Sequence, residues 1–333
     1  MRKRIIPLRR PPSFLSFAAI GGKEERNGPL GAAFDMTSPD DKFGQNTWEK
    51  AEGELGRLAL NIAMKKAQIR PDDVSYLFAG DLQNQCVASS GGLFSFGIPY
   101  IGLYGACSTC TESLLALSVF LSESDSPRIG AAVTTSHNCA AERQFRLPLE
   151  YGGQRAPSAQ WTATAGGAFL LTGESGDVRI PEVMPGKIVD GEISDASNMG
   201  GAMAAAAADT LLSYFGESGR SPSDFDAIVT GDLGKVGSSI VGEMLAEEGY
   251  DLQGKYFDCG NLLYEPSAQD VHSGGSGCGC SASVLASHFL PALVRGDLRH
   301  VLFLSTGALM SASSVQQGEH IFGIAPLIHL ERM

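Results

Sequence analysis

The stretch YGACSTC, residues 104–110 of the 333-residue chain, places Cys107 after small residues and directly before TESLLALSVFL, a run with the pattern of a buried helix. At such a helix start a thiolate is stabilised by free backbone N–H groups and by the helix dipole, which suits attack on an acyl thioester. The same residue offers other chemistry. With Cys110, Cys278 and Cys280 it forms a CxxC set against a CxC, the ligand types of a structural zinc, although such sites use knuckle-like turns rather than the first turn of an apolar helix. A CxxC also serves redox exchange, and small buried residues that let two helices pack need no chemistry at all. A second constellation, HNCAAERQFRLP at 137–148, concentrates His137, Asn138, Arg143, Gln144 and Arg146 behind a strand-like run. These side chains either hold a small anion or lie on a solvated loop whose arginines pair with Glu142 and Glu150.

Internal similarity shows which elements must position these residues. PDDVSYLFAGDL, from Pro71, and PSDFDAIVTGDL, from Pro222, share Pro, Asp and a terminal Gly-Asp-Leu in one register, so the chain divides into two halves, 1–180 and 181–333. Upstream of each copy lies a helical pattern. The first places Leu55, Leu58, Ala59, Ile62 and Ala63 on one face, with a capping box of Asn46 and Glu49 at its start; the second carries Leu211, Leu212 and Phe215. Downstream, GACSTCTESLLALS matches SGCGCSASVLASHF, RIGAAVTTSHN matches RHVLFLSTGAL with Arg128 opposite Arg299, and AGGAFLLTGE matches FGIAPLIHLE. Uniformly apolar strands alternating with helices predict α/β sheets covered on both faces. The small-residue helices of the two halves predict a five-layer sandwich with those helices in the middle. Long loops are expected at 140–160 and 184–203. Asp81 and Asp232, repeat-related and each following an apolar strand, read as caps on the backbone N–H groups of the next turn, with calcium ligation as the alternative. TAGGAFLLTG lacks the G-x-G-x-x-G spacing of a nucleotide site.

Composition narrows the function. A chain 43% hydrophobic buries a large core, and a net charge of −12 with no Lys/Arg cluster beyond the first ten residues argues against nucleic acid as a partner. Seven unevenly spaced cysteines do not make a disulfide framework, so free thiols in a reducing cytoplasm are expected. The apolar patch at 14–20, interrupted by Ser16 and preceded by Pro11-Pro12, falls short of an export signal, and no uninterrupted apolar run of roughly 20 residues spans a membrane.

The strings KEERNGPLGAAFD, LFAGDLQNQ, YGACST, TTSHNCAAERQFRLPLEYGGQ, SNMGGAMAAAAADT, VTGDLGKVGS and GGSGCGCSA resemble the thiolase-like family of thiolases and type III ketoacyl synthases, and within it the SpoVAD family of sporulation proteins. The resemblance covers nearly the whole chain. It implies a thiolase-like five-layer αβαβα sandwich built from two similar halves. It also implies a homodimer, for which GIPYIGLYG at 97–105 is the candidate edge, and a non-catalytic protein that binds dipicolinic acid (pyridine-2,6-dicarboxylate), free or as its calcium chelate. The resemblance further implies support for uptake of that ligand into the developing spore with other SpoVA membrane proteins, from a peripheral position on the cytoplasmic face of the forespore or spore inner membrane.

Condensing enzymes of this family need an oriented His and an Asn, or a His in a Gly-His-Pro loop plus a second Cys, beside the nucleophile. Here the loop after the second-half strand is GDLGKVG, without either, and only His272 in VHSGGSG loosely matches a Gly-His-Pro loop. Cys107 therefore reads as a vestigial nucleophile turned pocket residue. An acyl-thioester condensing enzyme or thiolase using Cys107 is the alternative, and a purely structural subunit of a membrane complex is another. For the ligand, Cys107 and Ser108 at the helix start are expected to face one carboxylate while Arg143 or Arg146 clamps the other. His137, Asn138, Gln144, Lys187, His272 and Cys278 complete the candidate set. No metal or cofactor is expected except calcium brought by the ligand.

Overall fold

The computed structural model describes residues 3–145, 155–252 and 254–333. Five strands form the first half: β1 (Ser13–Gly21), β2 (Val74–Gly80), β3 (Tyr100–Gly102), β4 (Ile129–Ser136) and β5 (Ala165–Thr172). The second half repeats them as β6 (Glu182–Met184), β7 (Ala227–Thr230), β8 (Tyr256–Asp258), β9 (His300–Leu304) and β10 (Leu327–Arg332). The spatial orders correspond strand for strand, β3-β2-β4-β5-β1 and β8-β7-β9-β10-β6. In each, the first three strands run parallel and the last two join antiparallel. A short strand, Val178–Arg179, pairs with β10 and with Ser13, so the two halves share one 13-stranded sheet. Strands β5 and β7 are buried along their whole length, which explains why they read as continuous apolar runs rather than alternating ones.

Seven helices matter for the site: α1 (Trp48–Ala67), α2 (Val87–Leu93), α3 (Thr109–Ser122), α4 (Asn138–Phe145), α5 (Met199–Ser218), α6 (Gly234–Glu247) and α7 (Cys278–Val284). Helices α3 and α7 touch each other; α3 also packs on β2, β4 and β10, and α7 on β4 and β5, so these two make the central layer. Helix α1 covers the outer face of β1, β4 and β5, with α2 packed against it, while α5 and α6 pair on the second half. The central layer is close-packed because its residues are small. A Cβ on Gly279 of α7 would stand 2.1 Å from Ala165 O and 2.6 Å from Ser136 Oγ, so only glycine lets α7 approach β5 this closely.

Several expectations are corrected. Helix α1 is capped by Thr47, whose hydroxyl accepts from Lys50 N at 3.3 Å, one residue beyond the expected Asn46. Its buried face runs through Leu55, Ala59, Leu60, Ala63 and Met64, whereas Leu58 and Ile62 are half-buried, because α2 as well as the sheet covers the helix. The loop expected to begin at 140 instead contains α4, and the one expected at 184–203 contains a short strand, Val189–Asp190, and the first turn of α5. The apolar patch at 14–20 lies within β1, a strand paired inside the sheet.

Candidate binding site at Cys107

Between β3 and α3 the chain makes a tight, self-bonded turn. Ser108 Oγ donates to Gly105 O at 2.7 Å, Thr109 Oγ1 donates to Ala106 O at 2.7 Å, and Gly105 N donates back to Thr109 Oγ1 at 3.1 Å. Ala106 holds φ at +52°, a left-handed conformation unusual for a residue with a side chain, and this strained step turns the buried Cys107 toward the second half.

What meets the sulphur is an acid network. Cys107 Sγ lies 3.9 Å from Ser276 Oγ, which donates to Asp232 Oδ2 at 3.4 Å. Gly277 N donates to the same oxygen at 2.8 Å and Thr306 Oγ1 to Asp232 Oδ1 at 2.7 Å. Burial raises the Asp232 carboxyl to about 6 despite these donors. Burial first, and then the negative charge of Asp232, drives the Cys107 thiol well above its usual range. The helix-terminus effect that would favour a thiolate is overridden, and Cys107 is a neutral thiol at neutral pH.

Neither nearby-in-sequence histidine supplies a base. His272 Nδ1 lies 2.9 Å from Ala156 O and its Nε2 2.8 Å from Asp270 Oδ1, while His137 Nε2 lies 2.7 Å from Asp41 O, with its ring 5.3 Å from that of Trp48. Among the described residues no three His, Cys, Asp or Glu side chains converge to hold a metal ion. Cys278 donates to Thr135 O at 3.0 Å and packs with Cys107, Leu82 and Ala141.

Two spaces meet at the site. An inner chamber of about 20 Å³ touches Cys107, Ser276, Leu82 and Thr162 and is closed by Phe145 and Met310. On this measure about 10–15 Å³ accommodates one water molecule, so the chamber has room for a water and not for an aromatic ring as it stands. On the far side of the same Phe145 and Met310 lies a vestibule of about 610 Å³, lined by Asn84, Gln85, Tyr104, Gln144, Ser311 and Ser313 among others. Amides and hydroxyls dominate its wall; no charged side chain lines it among the described residues.

The structure gathers Cys107, Cys278 and Gln144 at this place. Gln144 bonds with both ends of its amide, Nε2 donating to Leu82 O at 2.9 Å and Oε1 accepting from Asn84 N at 3.0 Å. Ser108 is spent on its own turn, and Asn138 on the backbone just before β5, its Nδ2 donating to Thr162 O at 3.2 Å. Arg143 pairs with Glu49 of α1 and is not among the described residues that line either space. Lys187 lies 3.5 Å from Asp209 on α5. Arg146 falls outside the described residues.

The residues that sequence reasoning missed are Ser276, Thr306, Phe145 and Met310, and the role of Asp232. Its repeat mate Asp81 caps its own turn as expected, accepting from Gln83 N at 2.8 Å and Ser89 N at 2.7 Å. Asp232 instead reaches partners 45 and 74 residues away. The one available signal was the small hydroxyl residues in the matching segments GGSG and LSTG.

Comparison with known proteins supplies the remaining context. A family model described as stage V sporulation protein AD (SpoVAD) matches residues 2–331. The chain is 43% identical over 322 residues to stage V sporulation protein AD of Bacillus subtilis (strain 168), covering 96% of this chain and 95% of that one. Among solved structures it is similar to cerulenin-bound OleA of Xanthomonas campestris, with a TM-score of 0.63 at 12% identity, covering 97% of this chain and 98% of that one. It is also similar to 3-oxoacyl-[acyl-carrier-protein] synthase III of Aquifex aeolicus, with a TM-score of 0.59 at 10% identity and coverage of 95% and 99%. At these identities the solved structures establish the thiolase-like fold and nothing about activity.

Proposed function

Because the chain belongs to the stage V sporulation protein AD family, we propose that this sporulation protein binds dipicolinic acid without catalysing a reaction on it, and supports its uptake into the developing spore together with other SpoVA membrane proteins. The observation that carries this reading is the pairing of Cys107 with Asp232 where a condensing enzyme needs a base. A neutral thiol facing a carboxylate is a poor nucleophile, so the thiolase scaffold is left with a pocket and no engine.

The wall of the vestibule refines the ligand. A free dianion needs local cations to overcome the −12 net charge, and the described lining has none, since Arg143 is paired with Glu49 and Lys187 with Asp209. The calcium chelate carries its own compensating charge. It presents carboxylate oxygens and an aromatic edge, which suit the amides of Asn84 and Gln85, the Tyr104 ring and the hydroxyls of Ser311 and Ser313.

A second copy of the chain is the proposed partner at the neighbouring edge. Strand β3 pairs with β2 on one side only, and between Asp81 and Glu112 the sequence has no Asp, Glu, Lys or Arg. Within that run Phe94 is 80% exposed and Val87, Tyr100, Ile101 and Tyr104 stand out from the surface. An unpaired, uncharged edge flanked by apolar side chains is suited to pairing across a two-fold. No helix among the described residues is long and apolar enough to cross a membrane, so the proposed peripheral position on the forespore or spore inner membrane depends on partner subunits.

The test of non-catalysis is direct. Purified protein incubated with acyl thioesters should keep its mass, and acylation of Cys107 with turnover would establish the condensing-enzyme reading instead.

A further inference from the structure

We propose that Glu52 is the positioning residue of one vestibule wall: as an uncharged carboxylic acid it holds Gln83, and through Gln83 the turn that presents Asn84 and Gln85. The binding role of that wall rests on the function proposed above, whereas its dependence on Glu52 does not. Both side chains are buried, Glu52 at 1% and Gln83 at 3% exposure. Gln83 Nε2 donates to Glu52 Oε2 at 2.5 Å, and Thr135 Oγ1 of β4 lies 3.5 Å from Glu52 Oε1. The next two residues, Asn84 and Gln85, line the vestibule.

This turn needs holding. Gln85 and Cys86 are consecutive non-glycine residues at φ of +59° and +52°, a conformation that persists only where its surroundings impose it. Cys86 N donates to Gln83 O at 3.2 Å, so the placement of Gln83 is passed directly into the strained step. Gln144 bonds the same turn from α4, at Leu82 O and Asn84 N, while Glu52 holds it from α1. Helix α1 is a firm base, because a Cβ on Gly92 of α2 would stand 2.1 Å from the O of Gly53, the residue after Glu52.

The charges around Glu52 decide its state. Gln83 bridges two acids, its amide on Glu52 and its backbone N donating to Asp81 Oδ1 at 2.8 Å. Asp81 also accepts from Ser89 N at 2.7 Å and Ser89 Oγ at 2.6 Å, and a carboxylate with three donors keeps the negative charge. Strands β1, β4 and β5 and helix α2, which pack on α1, contain no ionisable side chain. Helix α4 brings Cys139, Glu142 and Arg143, of which Arg143 pairs with Glu49, and α7 brings the Cys278 thiol, itself raised by burial and by these acids. Burial first, and then the charge of Asp81, hold the Glu52 carboxyl well above its ordinary value. Glu52 therefore keeps its proton at neutral pH, and a neutral amide is its closest substitute.

The experiment measures hydrogen–deuterium exchange over residues 82–90 of the native full-length protein at pH 7, with α3 as the reporter of global loosening. Glu52→Gln keeps an acceptor for Gln83 Nε2 and carries no charge, so this segment should exchange at the parent rate. Glu52→Ala should speed its exchange about tenfold, the factor that roughly one net hydrogen bond supplies, with α3 unchanged. Gln83→Leu cuts the same link from its other end; it should match Glu52→Ala and stands in if that variant does not fold. The double variant should exchange no faster than either single one. Equal acceleration in Glu52→Gln and Glu52→Ala would overturn the uncharged acid, and parent-rate exchange in Glu52→Ala, or parallel acceleration of α3, would overturn the positioning role. Calorimetric titration with calcium dipicolinate separates this inference from the ligand reading: Glu52→Ala should bind about tenfold more weakly than the parent and Glu52→Gln equally well. Faster exchange in Glu52→Ala with unaltered affinity would overturn the positioning role in binding, whereas no binding by the parent would overturn the ligand reading and leave the hold on the wall to be decided by exchange.

Discussion

Cys107 Sγ and Ser276 Oγ lie 3.9 Å apart across 169 residues of sequence, and the hydroxyl hands the contact on to Asp232. That single relay joins the first-half turn to the second-half loops and decides the character of the site. Burial, reinforced by the negative charge of Asp232, holds the thiol in its neutral form, and no histidine stands in this relay.

Removing the Asp232 charge should therefore make Cys107 more acidic. In the parent, the pH profile of Cys107 alkylation should have its midpoint above the ordinary thiol value of 9.0, and Asp232→Asn should move that midpoint downward. An unchanged or higher midpoint in the variant would show that the charge of Asp232 does not reach the sulphur.

Asp232 should also leave a mark on stability. Its carboxyl titrates at about 6 in the folded protein against 3.8 ordinarily, so the unfolded chain gives up the proton first. The contribution to folding is full below about pH 4 and is lost as pH rises through about 6, a change on the order of 3 kcal/mol. Glu25 and Asp258, each raised by burial to about 7, act in the same direction. His137 and His329, lowered by burial, act against it, so the test is a difference. The gap in urea midpoint between parent and Asp232→Asn should widen in favour of the parent from pH 7.5 to pH 5. A gap independent of pH would contradict the shift.

Much of this was legible in the sequence. The repeat around Pro71 and Pro222 placed β2 and β7 in matching positions, and the small-residue runs after Cys107 and Cys278 identified the two central helices, because buried strands and close-packed helices leave a compositional trace. Side-chain partners leave none. Arg143 could be read as a clamp or a loop residue, but its pairing with Glu49 crosses from α4 to α1, and only the packed fold brings them together. Asp232 looked like Asp81 because the strands before them are alike. The two differ in what lies above them, which for Asp232 is the Gly277 and Thr306 loops.

The close approach of α7 to β5 gives a stability prediction. Gly279→Ala forces a methyl against Ala165 O and Ser136 Oγ, and the rigid sheet backbone cannot yield cheaply. A loss of roughly 2–3 kcal/mol by urea unfolding is expected, in the range of overpacked cores. An unchanged midpoint would mean that α7 can shift away at no cost.

Assembly can be tested at the same edge that carries the exposed apolar residues. The parent should sediment as a dimer at tens of micromolar, a concentration on the order of that which saturates a stable interface, and Ile101→Glu or Phe94→Glu should give monomers that remain folded. A parent that sediments as a monomer, or charged variants that still pair, would place the interface elsewhere.

The most direct test of a binding site without chemistry is calorimetric titration of the full-length parent and Cys107→Ala with dipicolinate plus one equivalent of calcium, alongside pyridine-2-carboxylate. Both proteins should bind the chelate, with affinities within about tenfold of each other, because a vestibule of amides and hydroxyls does not use the thiolate. The monocarboxylate should bind more weakly by roughly 1.5–3 kcal/mol, the value of a lost charge-assisted contact. Absence of binding in the parent, or binding lost in Cys107→Ala together with a covalent adduct on the parent, would contradict the account.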